Sequence, residues 1–391
     1  MWIDREAESL ITRMAASFPA ILVTGARQVG KTSILRHLFP QAAYLTLDYP
    51  GHAGAARTEP EALLSGFEPP VIIDEIQYAP GLLRHVKARI DADRRPGRYL
   101  LTGSQVFPLM QGVSESLAGR CGVLDLQTLS ARELIAAGRS LDEKELLFVG
   151  GYPELHVGAE PQMWFPSYVA TYLERDVRNV LRVLDLQDFH RFLRAVALRT
   201  AQVLNFSDLA RDTGIAPNTA RKWVSLLQAS GVVALAEPYF GKRTKRLIKS
   251  PKLIPLDTGL ASFLAGFSSA SALGASAFVG PLWEAHVFGQ VIRWFSSKGK
   301  SPSVHYWRTT GGQEVDLVVE LSGGKSIGIE CKWTENPTLK DCAGLAAFRE
   351  AEGRMAKATY LVCRPGATYR LESHTLVMDV PGLLKRLDQL D

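Results

Sequence analysis

Residues 20–35 read AILVTGARQVGKTSIL: five apolar or small residues, a loop with two glycines, and then a new apolar pattern. The loop Gly25-Ala26-Arg27-Gln28-Val29-Gly30-Lys31-Thr32 fits G-x-x-x-x-G-K-[ST] between a strand and a helix. Glycines at those two positions let backbone N–H groups turn inward around phosphates, which then also sit on the helix N-terminus. In this pattern Lys31 reaches the β- and γ-phosphates and Thr32 ligates Mg²⁺, with Ser33 beside it at the start of the helix. ATP and Mg²⁺ are therefore the expected cofactors.

A second apolar run, PPVIIDEIQ (69–77), ends in Asp74-Glu75. A carboxylate at the C-terminal end of a strand beside the loop can hold the water shell of Mg²⁺, the role expected of Asp74. Glu75 is placed to orient and deprotonate an attacking water. A third run, RYLLTGSQ (98–105), ends in Thr102 and Ser104. Either hydroxyl can sense the γ-phosphate or the water.

The bulk numbers set the frame. A chain of 391 residues exceeds one ordinary core, so two to four domains are expected. With 46% apolar and 22% charged residues, it reads as a soluble globular protein. No apolar run is long enough to span a bilayer, and MWIDREAESLITRMAASF at the start reads as an amphipathic helix. Cys121, Cys331, Cys342 and Cys363 lack metal-ligand spacing, which suits reduced thiols in the cytoplasm.

GARQVGKTS, IIDEIQ, LLTGSQ and SLAGR (116–120), together with GGYPE (150–154) and TYLERDVRNV (171–180), carry a resemblance. The chain resembles, over nearly its whole length, the prokaryotic AAA-type ATPases whose C-terminal half is labelled a domain of unknown function. The resemblance implies a P-loop sheet with the sensor strand between the Walker A and Walker B strands. Gln105 departs from it, because a second serine is commoner there. Arg120 closes SLAGR. An arginine near a γ-phosphate raises the rate by about 10³–10⁵, from the same chain or from a neighbouring subunit. The plainer reading of Arg120 is a surface arginine, and for Arg175 and Arg178 an exposed helical face.

Residues 150–200 are rich in helix formers and read as a helical lid or linker. After it, NFSDLARDTGIAPNTARKWVSLLQASGVV (205–233) predicts a short helix capped by Ser207, a turn at Thr213-Gly214, and a second helix from Pro217-Asn218 to Gly231. VVALAEPYF, the loop GKRTKR (241–246) and LIKSPKLI follow, the order of a winged helix. Between 199 and 256 stand ten Lys/Arg against three Asp/Glu, a local +7 on a chain whose net charge is +5. Asn218, Thr219, Arg221, Lys222 and Ser225 fall on the outer face of the second helix. DNA is the expected partner, with Arg221 and Lys222 in a groove and Lys242, Arg243, Lys245 and Arg246 on phosphates. The alternative is an interdomain spacer.

Near the end, VDLVVELSGGKSIGIECKW (315–333) predicts a hairpin closed by Ser322-Gly323-Gly324. A three-residue loop sets Asp316 opposite Glu330, with Lys332 on the same face. Two facing carboxylates repel, and a divalent cation relieves this. Asp316, thirteen residues and then Glu330-x-Lys332 match the core of the PD-(D/E)xK, or restriction-endonuclease-like, fold, with Val315 where that pattern has proline. Glu284 in GPLWEAHVFGQVI resembles the helix-borne glutamate of that fold. The resemblance implies Glu284, Asp316 and Glu330 as metal ligands and Lys332 as a catalytic group. The alternative is a polar hairpin face on which Lys332 simply pairs with Glu330.

The expectation is an α/β multidomain chain: a P-loop ATPase domain (1–148), a helical lid (149–200), a winged helix (201–262) and a nuclease-like domain (275–391). Its expected function is ATP-controlled, Mg²⁺-dependent action on DNA. The other reading is a nucleotide-dependent switch with a silent nuclease-like domain. An oligomer built through Arg120 is compatible with either.

Overall fold

The computed structural model describes residues 2–104, 116–139, 142–173, 186–241 and 250–390. The apolar run at 20–24 forms β1 (Ala20–Thr24), the helix after the loop is α1 (Lys31–Leu38), and three further runs are β2 (Ala43–Thr46), β3 (Val71–Asp74) and β4 (Tyr99–Thr102). With β5 (Cys121–Asp125) they make a parallel sheet in the order β2-β3-β4-β1-β5. The strand ending in Thr102 thus lies between the strand entering the glycine loop and the strand ending in Asp74. Continuous Ile, Leu and Val along β1, β3 and β4 reflect burial on both faces, the usual condition of a parallel sheet. Leu22, Ile73 and Leu101 join Leu82, Leu83 and Val86 of α2 (Leu82–Ala92) in one core.

This first compact unit comprises Met1–Leu129 together with Ala229–Gly231 and Phe295–Lys300. It ends before the expected boundary at 148, because the helices Ala131–Ala136 and Glu143–Val149 belong to the second unit.

The second unit contains two sheets. In the smaller, β6 (Gln202–Val203), β7 (Val233–Ala236) and β8 (Lys252–Pro255) pair antiparallel in the order β6-β8-β7. Between β6 and β7 come α3 (Phe206–Thr213) and α4 (Pro217–Ala229). Leu209, Ala210, Trp223, Val224 and Leu227 are buried, as the helical spacing requires. Ser207 is not the cap. Asn205 accepts from the N–H of Ser207 and of Asp208, so the helix begins two residues earlier than expected. Lys242, Arg243, Lys245 and Arg246 lie outside the described residues, as do Gln105, Arg175 and Arg178.

The larger sheet follows α5 (Thr258–Ala265) and the long helix α6 (Val279–Ser297). Its strands are β9 (Val304–Arg308), β10 (Glu314–Leu321), β11 (Lys325–Cys331), β12 (Ala356–Val362), β13 (Tyr369–Glu372) and β14 (Thr375–Met378). They run in the order β13-β14-β12-β11-β10-β9. β9 to β11 are antiparallel, and α7 (Ala343–Glu352) crosses over to bring β12 parallel to β11. Hairpin pairing runs from Leu321 with Lys325 to Leu317 with Ile329, the register of a three-residue loop. Gly323 (φ 75°) and Gly324 (φ 70°) supply the left-handed turn it needs. Gly328 on β11 lets Phe348 and Leu345 of α7 approach closely, since a Cβ there would come 3.0 Å from the Phe348 ring. No described helix is long and apolar enough to cross a membrane.

Candidate functional site

The glycine loop is shaped by backbone that only certain residues accept. Gly25 has φ 135°, and a Cβ there would sit 2.2 Å from the Leu126 carbonyl oxygen. Gly30, at φ 94°, turns the chain into α1, whose first residue is Lys31. Lys31 is buried, and its ammonium donates to the carbonyls of Gly25 (3.1 Å) and Ala26 (2.7 Å). Burial lowers its pKa to about 8, with the Glu75 charge opposing that shift. Arg5, which the sequence reading passed over, donates to the Val29 carbonyl (2.9 Å) and the Gln127 carbonyl (2.6 Å) and so braces the loop from outside.

At the end of β3, Asp74 is surrounded by hydroxyls. Its Oδ1 accepts from Thr32 (2.5 Å) and Thr102 (2.5 Å), and its Oδ2 accepts from Tyr44 (3.0 Å). Burial and the Asp74 charge push the Tyr44 phenol up to about 12, so it stays a donor. Thr32 and Asp74 fit Mg²⁺: adjacent ligands in an octahedron with 2.0–2.1 Å bonds stand about 2.9 Å apart, a small step from their present contact. Thr102 also accepts the Glu75 N–H at 3.0 Å. That bond holds Glu75 at φ 57°, ψ 47°, left-handed backbone that costs a non-glycine residue roughly 1–2 kcal/mol. The Glu75 carboxylate accepts from Ser104 (3.3 Å) and from Gln77, whose amide also donates to Ser104 (3.1 Å). A carboxylate so held, next to a buried lysine and a helix N-terminus, can take a proton from water aimed at a terminal phosphate.

Arg120 is placed elsewhere. It immediately precedes β5, and its carbonyl accepts from the Ala20 N–H at the start of β1. This is the N-terminal end of the strands, and the glycine loop lies at their C-terminal end. Its guanidinium donates to Asp91 (2.6 Å) and to the Ala118 carbonyl (3.1 Å). Within one chain the fold does not bring Arg120 to Lys31.

The second cluster gathers around the hairpin. Asp316 Oδ2 accepts the Cys331 N–H at 2.8 Å. Glu330 Oε1 pairs with Lys332 at 2.8 Å, while its Oε2 is buried with no hydrogen-bond partner among the described residues. Burial, reinforced by the Asp316 charge, lifts Glu330 to about 8. Gly344 permits this closeness, since a Cβ there would meet the Glu314 carbonyl at 1.9 Å and Glu330 Oε2 at 3.7 Å.

Sequence reading missed the residue at the centre. Lys252, the first residue of β8, sends an ammonium with only 3% side-chain exposure onto Glu284 (2.7 Å), Glu314 and Asp316 (3.8 Å). Its Nζ also lies 5.3 Å from the centre of the Tyr306 ring. Burial alone would lower its pKa, but the charges of Glu284, Asp316 and Glu314 outweigh it and hold Lys252 charged. Burial and then the Asp316 charge drive Glu284 well above the ordinary carboxylate range. As arranged, these residues do not fit Mg²⁺, because the point on which Glu284 and Asp316 converge carries an ammonium. Among the described residues, no three His, Cys, Asp or Glu form a set that could hold a metal ion. Two signals were present in the sequence: a lysine opening the apolar strand KLIP, and Glu314 two residues before Asp316, on the same strand face.

On α4, Asn218, Arg221, Lys222 and Ser225 are exposed. The Arg221 guanidinium stacks 4.3 Å from the centre of the Phe206 ring.

Residues 17–135 match the family described as AAA domain, residues 141–271 match Domain of unknown function (DUF8612), and residues 279–383 match Domain of unknown function (DUF4143). Among solved structures, the Walker-type ATPase PABY2304 of Pyrococcus abyssi aligns at 16% identity over 67% of this chain and 96% of that one, with a TM-score of 0.44. A Thermotoga maritima RuvB variant aligns at 18% identity over 58% and 85%, with a TM-score of 0.31. Uncharacterized protein Rv2008c of Mycobacterium tuberculosis is 32% identical over 382 residues, 97% of this chain and 83% of its own length, and Uncharacterized protein Mb2031c of Mycobacterium bovis matches to the same extent. With an AAA domain ahead of two domains of unknown function, the chain belongs to the family of these mycobacterial proteins.

Proposed function

We propose that the chain is an ATP-hydrolysing AAA-type switch that works on DNA, with a winged helix as its DNA contact and a nuclease-like C-terminal domain that does not cleave in this arrangement. The observation that carries the ATPase reading is the hydroxyl and carboxylate set around Asp74 and Glu75, facing the glycine loop across β4. To meet a nucleotide, Lys31 exchanges the Gly25 and Ala26 carbonyls for phosphate oxygens, and Gly25 through Ser33 turn their N–H groups to the same anion. Mg²⁺, when bound, neutralises charge on the phosphates. Asp74 orients Thr32 toward that ion, and Glu75 accepts the proton of the attacking water while Ser104 and Gln77 fix its direction. Arg120 enters only as a residue offered to a neighbouring copy.

Phosphate release from ATP, measured beside nucleotide binding, tests this. Lys31→Ala should lose both. Glu75→Gln should keep ATP bound while turnover falls by about 10² or more. Turnover unchanged in Glu75→Gln would remove Glu75 from the mechanism.

The DNA reading is supported by the helix-turn-helix order of α3, α4 and β7, and by exposed Arg221 and Lys222. If about four phosphates are neutralised, affinity for duplex DNA should fall on the order of 10²-fold between about 50 and 200 mM salt. A flat salt response would exclude it. A second reading, cleavage of DNA at Asp316, Glu330 and Lys332, draws on the unpartnered Glu330 Oε2 beside Lys332. Cleavage of linear, circular or single-stranded DNA that Lys332→Ala abolishes would favour it.

A further inference from the structure

The acidic pocket between β8, α6 and β10 already holds a cation, and that cation is part of the chain. Glu284 from α6 and Glu314 and Asp316 from β10 converge on one ammonium, which comes from the strand that closes the helix-turn-helix sheet. Around it, Arg308 touches Glu314 (3.4 Å) and Lys332 pairs with Glu330 (2.8 Å). Charge balance explains the packing. Three carboxylates with 12–27% side-chain exposure, gathered at one point, repel one another unless something positive sits among them.

We propose that Lys252 is the built-in substitute for a divalent cation in this pocket, so that metal and Lys252 exclude one another and the seating of β8 decides whether the C-terminal domain can take a metal ion. The inference rests on reading Glu284, Asp316 and Glu330 as the acidic set of a nuclease-like fold. An ammonium and a hard divalent ion want the same oxygens, but the ion needs them at about 2.0–2.6 Å and with extra waters. Lys252 offers neither the charge nor the room for both to coexist. β8 is tied to β6 and β7 by its backbone, with Lys252 opposite Val203 and Ala236. The cation seat is therefore filled from the same sheet that follows the basic helix α4. A displacement of that sheet would open the pocket, and a sheet at rest would keep it shut.

The test is Mn²⁺ binding to the full-length, nucleotide-free protein, counted from the loss of the free-ion paramagnetic resonance signal. Lys252→Met should bind one more Mn²⁺ per chain than wild type, and adding Asp316→Asn should remove it. Lys252→Met should also melt several degrees lower than wild type in chelator and recover in Mn²⁺, while Mn²⁺ leaves the wild-type melt unchanged. Lys252→Arg keeps the charge and should stay folded without gaining the site. Equal Mn²⁺ binding in wild type and Lys252→Met, sensitive to Asp316→Asn in both, would overturn the exclusion while leaving the acidic-set reading in place. Mn²⁺ binding that Asp316→Asn does not touch in either background would overturn both. A Lys252→Met protein that stays unfolded even in Mn²⁺, or a Lys252→Arg protein that gains the site, would also overturn the proposal.

Discussion

Thr102 shows how one hydroxyl can serve two buried groups. It donates to Asp74 and accepts the Glu75 N–H, and it is fully buried. Valine has the same shape and offers neither bond. Thr102→Val should therefore cost about 1–3 kcal/mol in urea unfolding, the penalty for stranding buried polar groups. It should also lower kcat for ATP more than it raises KM, because the Glu75 backbone loses the bond that holds it left-handed. His156 gives a pH prediction at the same scale. Its Nε2 lies 2.8 Å from the Gly150 carbonyl, and burial holds the imidazole below its ordinary value. A base with a depressed folded-state pKa contributes stability above its unfolded value, and that contribution is lost as pH falls. As pH falls below about 6.5, wild type should therefore lose more stability than His156→Gln, measured by paired melts.

Helix starts and close backbone approaches carry the information at the next scale. Asn205 caps α3, although Ser207 has the right chemistry two residues on. Asn205→Ala should cost about 1 kcal/mol, while Ser207→Ala should stay within about 0.5 kcal/mol. Sequence pattern pointed to Ser207, and only the backbone shows that the Asn205 side-chain oxygen is the one facing the free N–H groups. The segment GGYPE is packed the same way. Asp257 caps α5 through the Leu260 N–H and also accepts the Gly151 N–H at 2.8 Å, drawing Gly150 and Gly259 together. A Cβ on Gly259 would stand 2.2 Å from the Val149 carbonyl oxygen. Both neighbours are backbone and cannot swing aside, so Gly259→Ala should cost at least about 1–3 kcal/mol, read as a lower melting temperature.

At the scale of the whole molecule, the two compact units are interleaved along the chain. Ala229–Gly231 and Phe295–Lys300 complete the first unit, and Ser296 donates to the Asp125 carbonyl there. Gly231 lies so close to the glycine loop that a Cβ on it would be 3.3 Å from the Ala26 nitrogen. A fragment ending at Leu129 should therefore be cut by protease at concentrations that leave the full chain intact. The local sequence was enough for whatever depends on neighbours in sequence. The glycine loop, the strands ending in Asp74 and Thr102, the helix-turn-helix and the three-residue hairpin all follow from periodicity and turn chemistry, which act over a few residues. Tertiary structure alone decided which distant charges meet. Lys252, read in sequence as one of ten basic residues near a DNA-binding motif, is folded onto Glu284, Glu314 and Asp316. Arg120, read either as a partner for phosphate or as a surface arginine, pairs with Asp91 within this chain. Coulomb pairing follows distance in space, and strand order, not spacing along the chain, sets that distance.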